Sequence, residues 1–196
     1  MLKYTGYIRK IRYYSESSHY IVALLEVEED QELLTMNGYM SNFNDYDKYA
    51  FYGDFEIHPK YGQQFKLDHY EIVLSTDEEE IIKYLSSPLF KGIGPTQAKY
   101  IVDALGENAL SLIKEDKHHL DLVKGMTVAK RELIYEVLTS NDYDQEVTQF
   151  FMGHGISLRH IGIIQETYKE KTLEILQNHP YQLVEDIDGI GFKTSR

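Results

Sequence analysis

Phe90-Lys91-Gly92-Ile93-Gly94-Pro95-Thr96-Gln97-Ala98-Lys99-Tyr100-Ile101-Val102 decides how the second half of this chain is read. Two glycines, Gly92 and Gly94, give the backbone access to positive φ in a turn too tight for a β-carbon. Ile93 between them is an apolar plug for the space between two helices. Pro95 suits the first position of the helix that follows, because the N–H it lacks would have no partner there anyway. Ala98 lets the paired helices approach closely. A helix that begins in this way turns its first free amides outward, and such amides form a phosphate site. Gly92, Ile93, Gly94, Thr96 and Lys99 are therefore candidate binding residues. A site of this kind grips a sugar-phosphate backbone and reads no base edges.

The same turn recurs. Gly155-Ile156-Ser157 lies 63 residues after Gly92-Ile93-Gly94, and Thr172-Leu173-Glu174-Ile175-Leu176 stands at the same offset from Ala109-Leu110-Ser111-Leu112-Ile113. Gly125-Met126-Thr127 pairs with Gly189-Ile190-Gly191 at an offset of 64. Self-similarity of this sort marks a tandem architecture, here with repeats at about 88–140 and 147–196. The pattern resembles the helix-hairpin-helix family: an apolar residue, Gly-apolar-Gly, three variable residues, then a small one. That resemblance implies DNA contacts from Gly92, Ile93, Gly94, Thr96 and Lys99, from Gly125, Thr127, Lys130 and Arg131, and from Gly189, Ile190, Gly191, Lys193 and Thr194. Thr96 stands where many members carry a lysine, leaving that task to Lys99. The units at Gly125 and Gly155 lack the second glycine and have Arg131 and Ile161 at the small-residue position, so they stand on the repeat alone. The competing reading is that some of these turns only pack helices. Arg196 follows Gly191 so closely that the last hairpin is expected to be truncated, the chain being cut from a larger protein.

Ahead of this region the period changes from helical to alternating. Strands are expected over Tyr4–Tyr14, Tyr20–Leu25, Leu33–Tyr39, Tyr49–Ile57 and Phe65–Ile72, separated by polar or glycine-bearing turns. Five strands in about 70 residues, with Gly6, Gly38, Gly53 and Gly62 among them, predict a small barrel. An OB-type barrel is the first expectation and an SH3-like barrel the second. After Thr76 or Asp77 as N-cap, three acids lead into Ile81, Ile82, Tyr84 and Leu85, which opens the helical part. The fold class expected is α+β: a five-stranded OB-like barrel over 1–75, followed by an all-α tandem hairpin region over 76–196.

Composition limits the chemistry. The chain has no cysteine, which removes disulfides and thiolate metal sites. Its N-terminus has no signal-peptide pattern and no window is apolar enough for a membrane, so a cytoplasmic location is expected. No histidine pair has metal-binding spacing, and no hydrolase motif is present. The net charge of −12 opposes general attraction to nucleic acid, so any contact must be local. The first 14 residues carry Lys3, Arg9, Lys10 and Arg12 and no acid. Tyr7, Arg9, Lys10 and Arg12 on that strand are candidate single-strand contacts, with rings for bases and cations for phosphates. The competing reading is a barrel wall of half-buried tyrosines.

Taken in order, Thr5-Gly6-Tyr7-Ile8, His19-Tyr20-Ile21-Val22, His58-Pro59-Lys60-Tyr61-Gly62-Gln63-Gln64-Phe65, Phe90–Pro95, His179-Pro180-Tyr181-Gln182-Leu183 and Ile187–Phe192 resemble the N-terminal region of the RecD-like DNA helicases that act outside the RecBCD complex. The resemblance implies a DNA-binding accessory region of a 5′-to-3′ ATP-dependent helicase in DNA repair. Its partners would be single-stranded or forked DNA, its own C-terminal motor and a repair protein. ATP and Mg would belong to that motor, because this chain has no phosphate-loop motif of a glycine, four variable residues and Gly-Lys-Ser/Thr. No cofactor and no catalytic activity are expected of the chain itself. Two alternatives are a protein-interaction module built on the acidic barrel and a RuvA-like junction-binding subunit.

Overall fold

The computed structural model describes residues 1–29 and 32–140, and after them positions 142, 151–152, 155–157, 159–161, 163–164 and 178. They fall into two units. One comprises Met1–Asp45 and Ala50–Glu71 and includes the described positions from 151 on; the other comprises Tyr46–Tyr49 and Ile72–Asp142.

Five strands appear where the alternation predicts them: β1 (Leu2–Tyr14), β2 (Tyr20–Val27), β3 (Leu33–Tyr39), β4 (Lys48–His58) and β5 (Gly62–Val73). In β2, Ile21, Ala23, Leu25 and Val27 point inward and are buried, which is the two-residue period of a strand with one face on a core. Ile8, Met36, Phe51, Phe65 and Leu67 fill the same interior. The strands close in the order β1-β2-β3-β5-β4. β3 and β5 run parallel, with Met36 opposite Phe65 and Asn37 opposite Lys66. A simple meander cannot give that order, and it decides for the OB-type barrel.

β1 is the irregular strand. Its pairing with β2 shifts register between Ile8 and Lys10 and again between Ile11 and Tyr13, which makes Arg9 and Arg12 the extra residues of two bulges. Arg9 through Tyr13 are all exposed, so alternation fails where the strand bends.

The helical unit holds α1 (Glu78–Leu85), α2 (Pro95–Leu105), α3 (Ala109–Glu115) and α4 (Val128–Thr139), with 3-10 turns at Gly106–Asn108 and Lys117–Leu122. Asp77, not Thr76, caps α1, its carboxylate accepting from the Glu80 amide at 3.0 Å. Ile81, Leu85, Phe90, Ile93, Ile101, Leu110, Ile113, Leu120 and Ile134 form one core. Within this unit Tyr84 Oη donates to Asp47 at 2.8 Å, and Lys48 pairs with Glu80 at 3.1 Å.

Candidate nucleic-acid interface

Three hairpin turns share one geometry. Gly92, Gly125 and Gly155 have φ of +85°, +77° and +77°, the left-handed region that favours glycine. In the first two the next residue's amide reaches back to close the turn, Ile93 to Phe90 O at 3.1 Å and Met126 to Val123 O at 3.2 Å. The third closes through Gly155 to Met152 O and Ile156 to Phe151 O, both at 3.0 Å. Two residues after the glycine comes the N-cap, whose carbonyl takes the first helical hydrogen bond. Gly94 receives Ala98, Thr127 receives Arg131 and Ser157 receives Ile161, at 3.0, 2.9 and 3.0 Å.

This corrects the expected role of the second glycine. Gly94 has φ −90° and ψ 176°, a conformation open to any residue, and a β-carbon there meets nothing within 4 Å. Only Gly92 needs glycine, and it needs it for its φ rather than for space. The turns at Gly125 and Gly155 thus lose nothing by having Thr127 and Ser157 at the second position.

What the second position changes is access to the helix end. No side chain caps α2, so the Thr96 and Gln97 amides lack a side-chain acceptor, beside exposed Gly92, Gly94 and Thr96. At α4, Thr127 Oγ1 caps the Lys130 amide at 3.2 Å. Ile93 is buried at 4% exposure and Ala98 is fully buried, so both position the turn from beneath. The hairpins are joined by Gln97 Nε2, which donates to Lys124 O at 3.0 Å, and by Lys124 Nζ over the Tyr100 ring at 5.3 Å. Gly125 is close-packed there, since a β-carbon would stand 3.3 Å from Gln97 Oε1.

Cations surround these turns. Lys91, Lys99, Lys124 and Lys130 form no ion pair with any described carboxylate. Lys91 and Lys124 were not singled out by sequence; the signal was a Lys-Gly pair recurring 33 residues apart. Arg131, expected as a DNA contact, is engaged within its own unit. Its guanidinium holds Asp121 at 2.8 Å and Glu132 at 3.1 Å, with the side chain only 14% exposed. Arg131, together with His118, holds the Asp121 carboxyl below its usual range; Lys117, together with Arg131, does the same for Glu132. In the barrel, Arg9 is likewise engaged: it pairs with Glu26 and lies 5.8 Å over the Tyr7 ring. Lys10 and Arg12 stay exposed. The candidates Gly189, Ile190, Gly191, Lys193 and Thr194 lie outside the described residues.

The two glycines make a paired test. Gly92→Ala is expected to cost roughly 1–2 kcal/mol through its left-handed φ. Gly94→Ala is expected to leave the melting temperature unchanged yet weaken DNA binding, because its methyl occupies open space that a DNA backbone approaching the helix end would use. Calorimetry and a binding titration on both variants check this; a binding loss confined to Gly92→Ala sinks the access argument.

A closed OB barrel followed by glycine-hinged helical hairpins defines a class of nucleic-acid-binding accessory domains. Residues 1–75 match the family model for the OB-fold domain of the ATP-dependent DNA helicase YrrC, and residues 140–196 match that for the HHH domain of the ATP-dependent RecD2 DNA helicase. The chain belongs to the RecD-like helicases as their N-terminal OB and helix-hairpin-helix region. The hairpins at Gly92 and Gly125 lie between the two matched stretches. Among the described residues, no helix is long and apolar enough to cross a membrane.

Proposed function

We propose that this chain is the non-catalytic DNA-binding region of a 5′-to-3′ ATP-dependent helicase serving DNA repair in the cytoplasm, and that it grips the phosphate backbone without reading sequence. One observation carries the reading: the uncapped N-terminus of α2 lies among lysines of two hairpins that have no described carboxylate partner. Backbone amides and mobile ammonium groups fit phosphate oxygens and carry no base code. The chain lacks the loop that would hold ATP and Mg, so hydrolysis falls to the motor, which is its partner in the full helicase. Single-stranded or forked DNA is the substrate, and the acidic part of the barrel is the surface for a repair protein.

The test is fluorescence anisotropy with a labelled fork and with the same fork in scrambled sequence, across a salt series. Affinity is expected to be equal for both sequences and to fall steeply with salt. A clear preference for one sequence, or no binding at low salt, refutes the proposal.

A further inference from the structure

We infer that the barrel carries a second nucleic-acid site, a base-stacking strip for a single strand, formed by Tyr13, Tyr20 and Tyr39 with Lys10 and Arg12. The inference rests on the nucleic-acid reading above but not on the hairpins. Tyr20 of β2 stands directly opposite Tyr39 of β3, their ring centroids 5.4 Å apart at 65°. Tyr13 of β1 continues the row, 6.2 Å from Tyr20 at 54°. Three adjacent strands thus present one line of rings, and the outermost, Tyr13, is 56% exposed.

A plain barrel wall does not account for this. Five consecutive exposed residues, Arg9 to Tyr13, break the alternation that a wall requires, and the bulge at Arg12 falls directly beside Tyr13. Bulges re-aim side chains at the rims of barrels and beside functional sites. The charge is arranged to suit a strand with its phosphates on one side. Arg9 is occupied by Glu26, whereas Lys10 and Arg12 have no described carboxylate partner, in a stretch that holds no acid at all. Glu56, fixed by Asn37 Nδ2 at 2.9 Å, acts on Tyr20, the middle ring of the row. Burial first, then Tyr39 and Glu56, push the Tyr20 hydroxyl up. Lys10 and Arg12 draw phosphates over β1, which leaves the bases to Tyr13 and its neighbours. A duplex keeps its bases stacked inside and cannot use the rings, so the strip selects single strands.

The experiment titrates the chain against an oligothymidine strand and a matched duplex. Tyr13→Leu, with an exposed side chain and an unchanged melting temperature, is expected to weaken the single strand about tenfold and the duplex by less than about twofold. Tyr13→Phe is expected to restore single-strand binding, and Arg12→Glu to reduce it. Single-strand affinity unchanged in both Tyr13→Leu and Tyr39→Leu overturns the inference and assigns the face to a protein. Equal losses for strand and duplex overturn it too. Lys99→Glu separates the two readings: if it spares the duplex while Tyr13→Leu weakens the strand, the hairpin grip fails and the strip stands.

Discussion

Gly53→Ala is expected to destabilise the barrel by about 3 kcal/mol, one of the larger effects available to a single methyl group. A β-carbon at Gly53 would stand 2.0 Å from Lys66 O, a backbone atom that cannot rotate away. β4 and β5 must separate to admit it, and Phe65, whose ring also lies 3.1 Å from that β-carbon, must move with them. Phe65 is fully buried and makes edge contacts with Tyr4 at 5.4 Å and Phe55 at 5.7 Å, so the displacement reaches the centre of the core. For a domain of this size, such a loss lowers the melting temperature by roughly 12–24 °C. Gly62→Ala is the control. Gly62 has φ +78° but open space around it, so only the backbone strain of about 1–2 kcal/mol is incurred. Thermal denaturation followed by circular dichroism distinguishes them, and a Gly53→Ala barrel that melts no lower than Gly62→Ala contradicts the close approach of β4 to β5.

The glycines of the first half could be seen in sequence, but not what each one does. Alternation locates all five strands because it records which face is buried, a local property. It carries no information about partners, and the parallel β3–β5 pair joins residues 29 positions apart, such as Met36 and Phe65. The bulges in β1 were hidden for the same reason, since an extra residue shows only against the strand beside it. In the helical unit the Gly-Ile-Gly motif was overvalued at its second position and the Gly125 turn undervalued. Positive φ falls on the first glycine alone, and the N-cap that follows accepts threonine or serine at least as readily as glycine. Arg131 looked like a free cation because Asp121 lies ten residues earlier, beyond the turn that folds it back. Lys91 and Lys124 are missed by the motif although each precedes a turn glycine, beside which a residue has little room to pack inward.

Reversing Lys91, Lys99, Lys124 and Lys130 together to glutamate is expected to lower affinity for forked or duplex DNA by about a hundredfold or more at low salt, alike for every sequence. Each lysine that neutralises a phosphate contributes about 0.9 to the slope of log affinity against log salt, so the slope should flatten by up to about 3.6. The slope is the sharper readout, because misfolding lowers the fraction of active protein without changing how many counterions the remainder releases. Arg131→Ala supplies the contrast. Its guanidinium is committed to Asp121 and Glu132, so its loss should lower stability and leave the slope intact. Stability itself should fall only by the lost Lys124–Tyr100 contact, about 0.5–1 kcal/mol at an exposed site, since none of these lysines holds a described carboxylate and Lys91, Lys99 and Lys124 are exposed. A slope unchanged by all four reversals means that these ammonium groups release no counterions, and the hairpins then serve only to pack helices. A flattened slope with equal loss for every sequence places the backbone grip on the face where Gln97 joins the two turns.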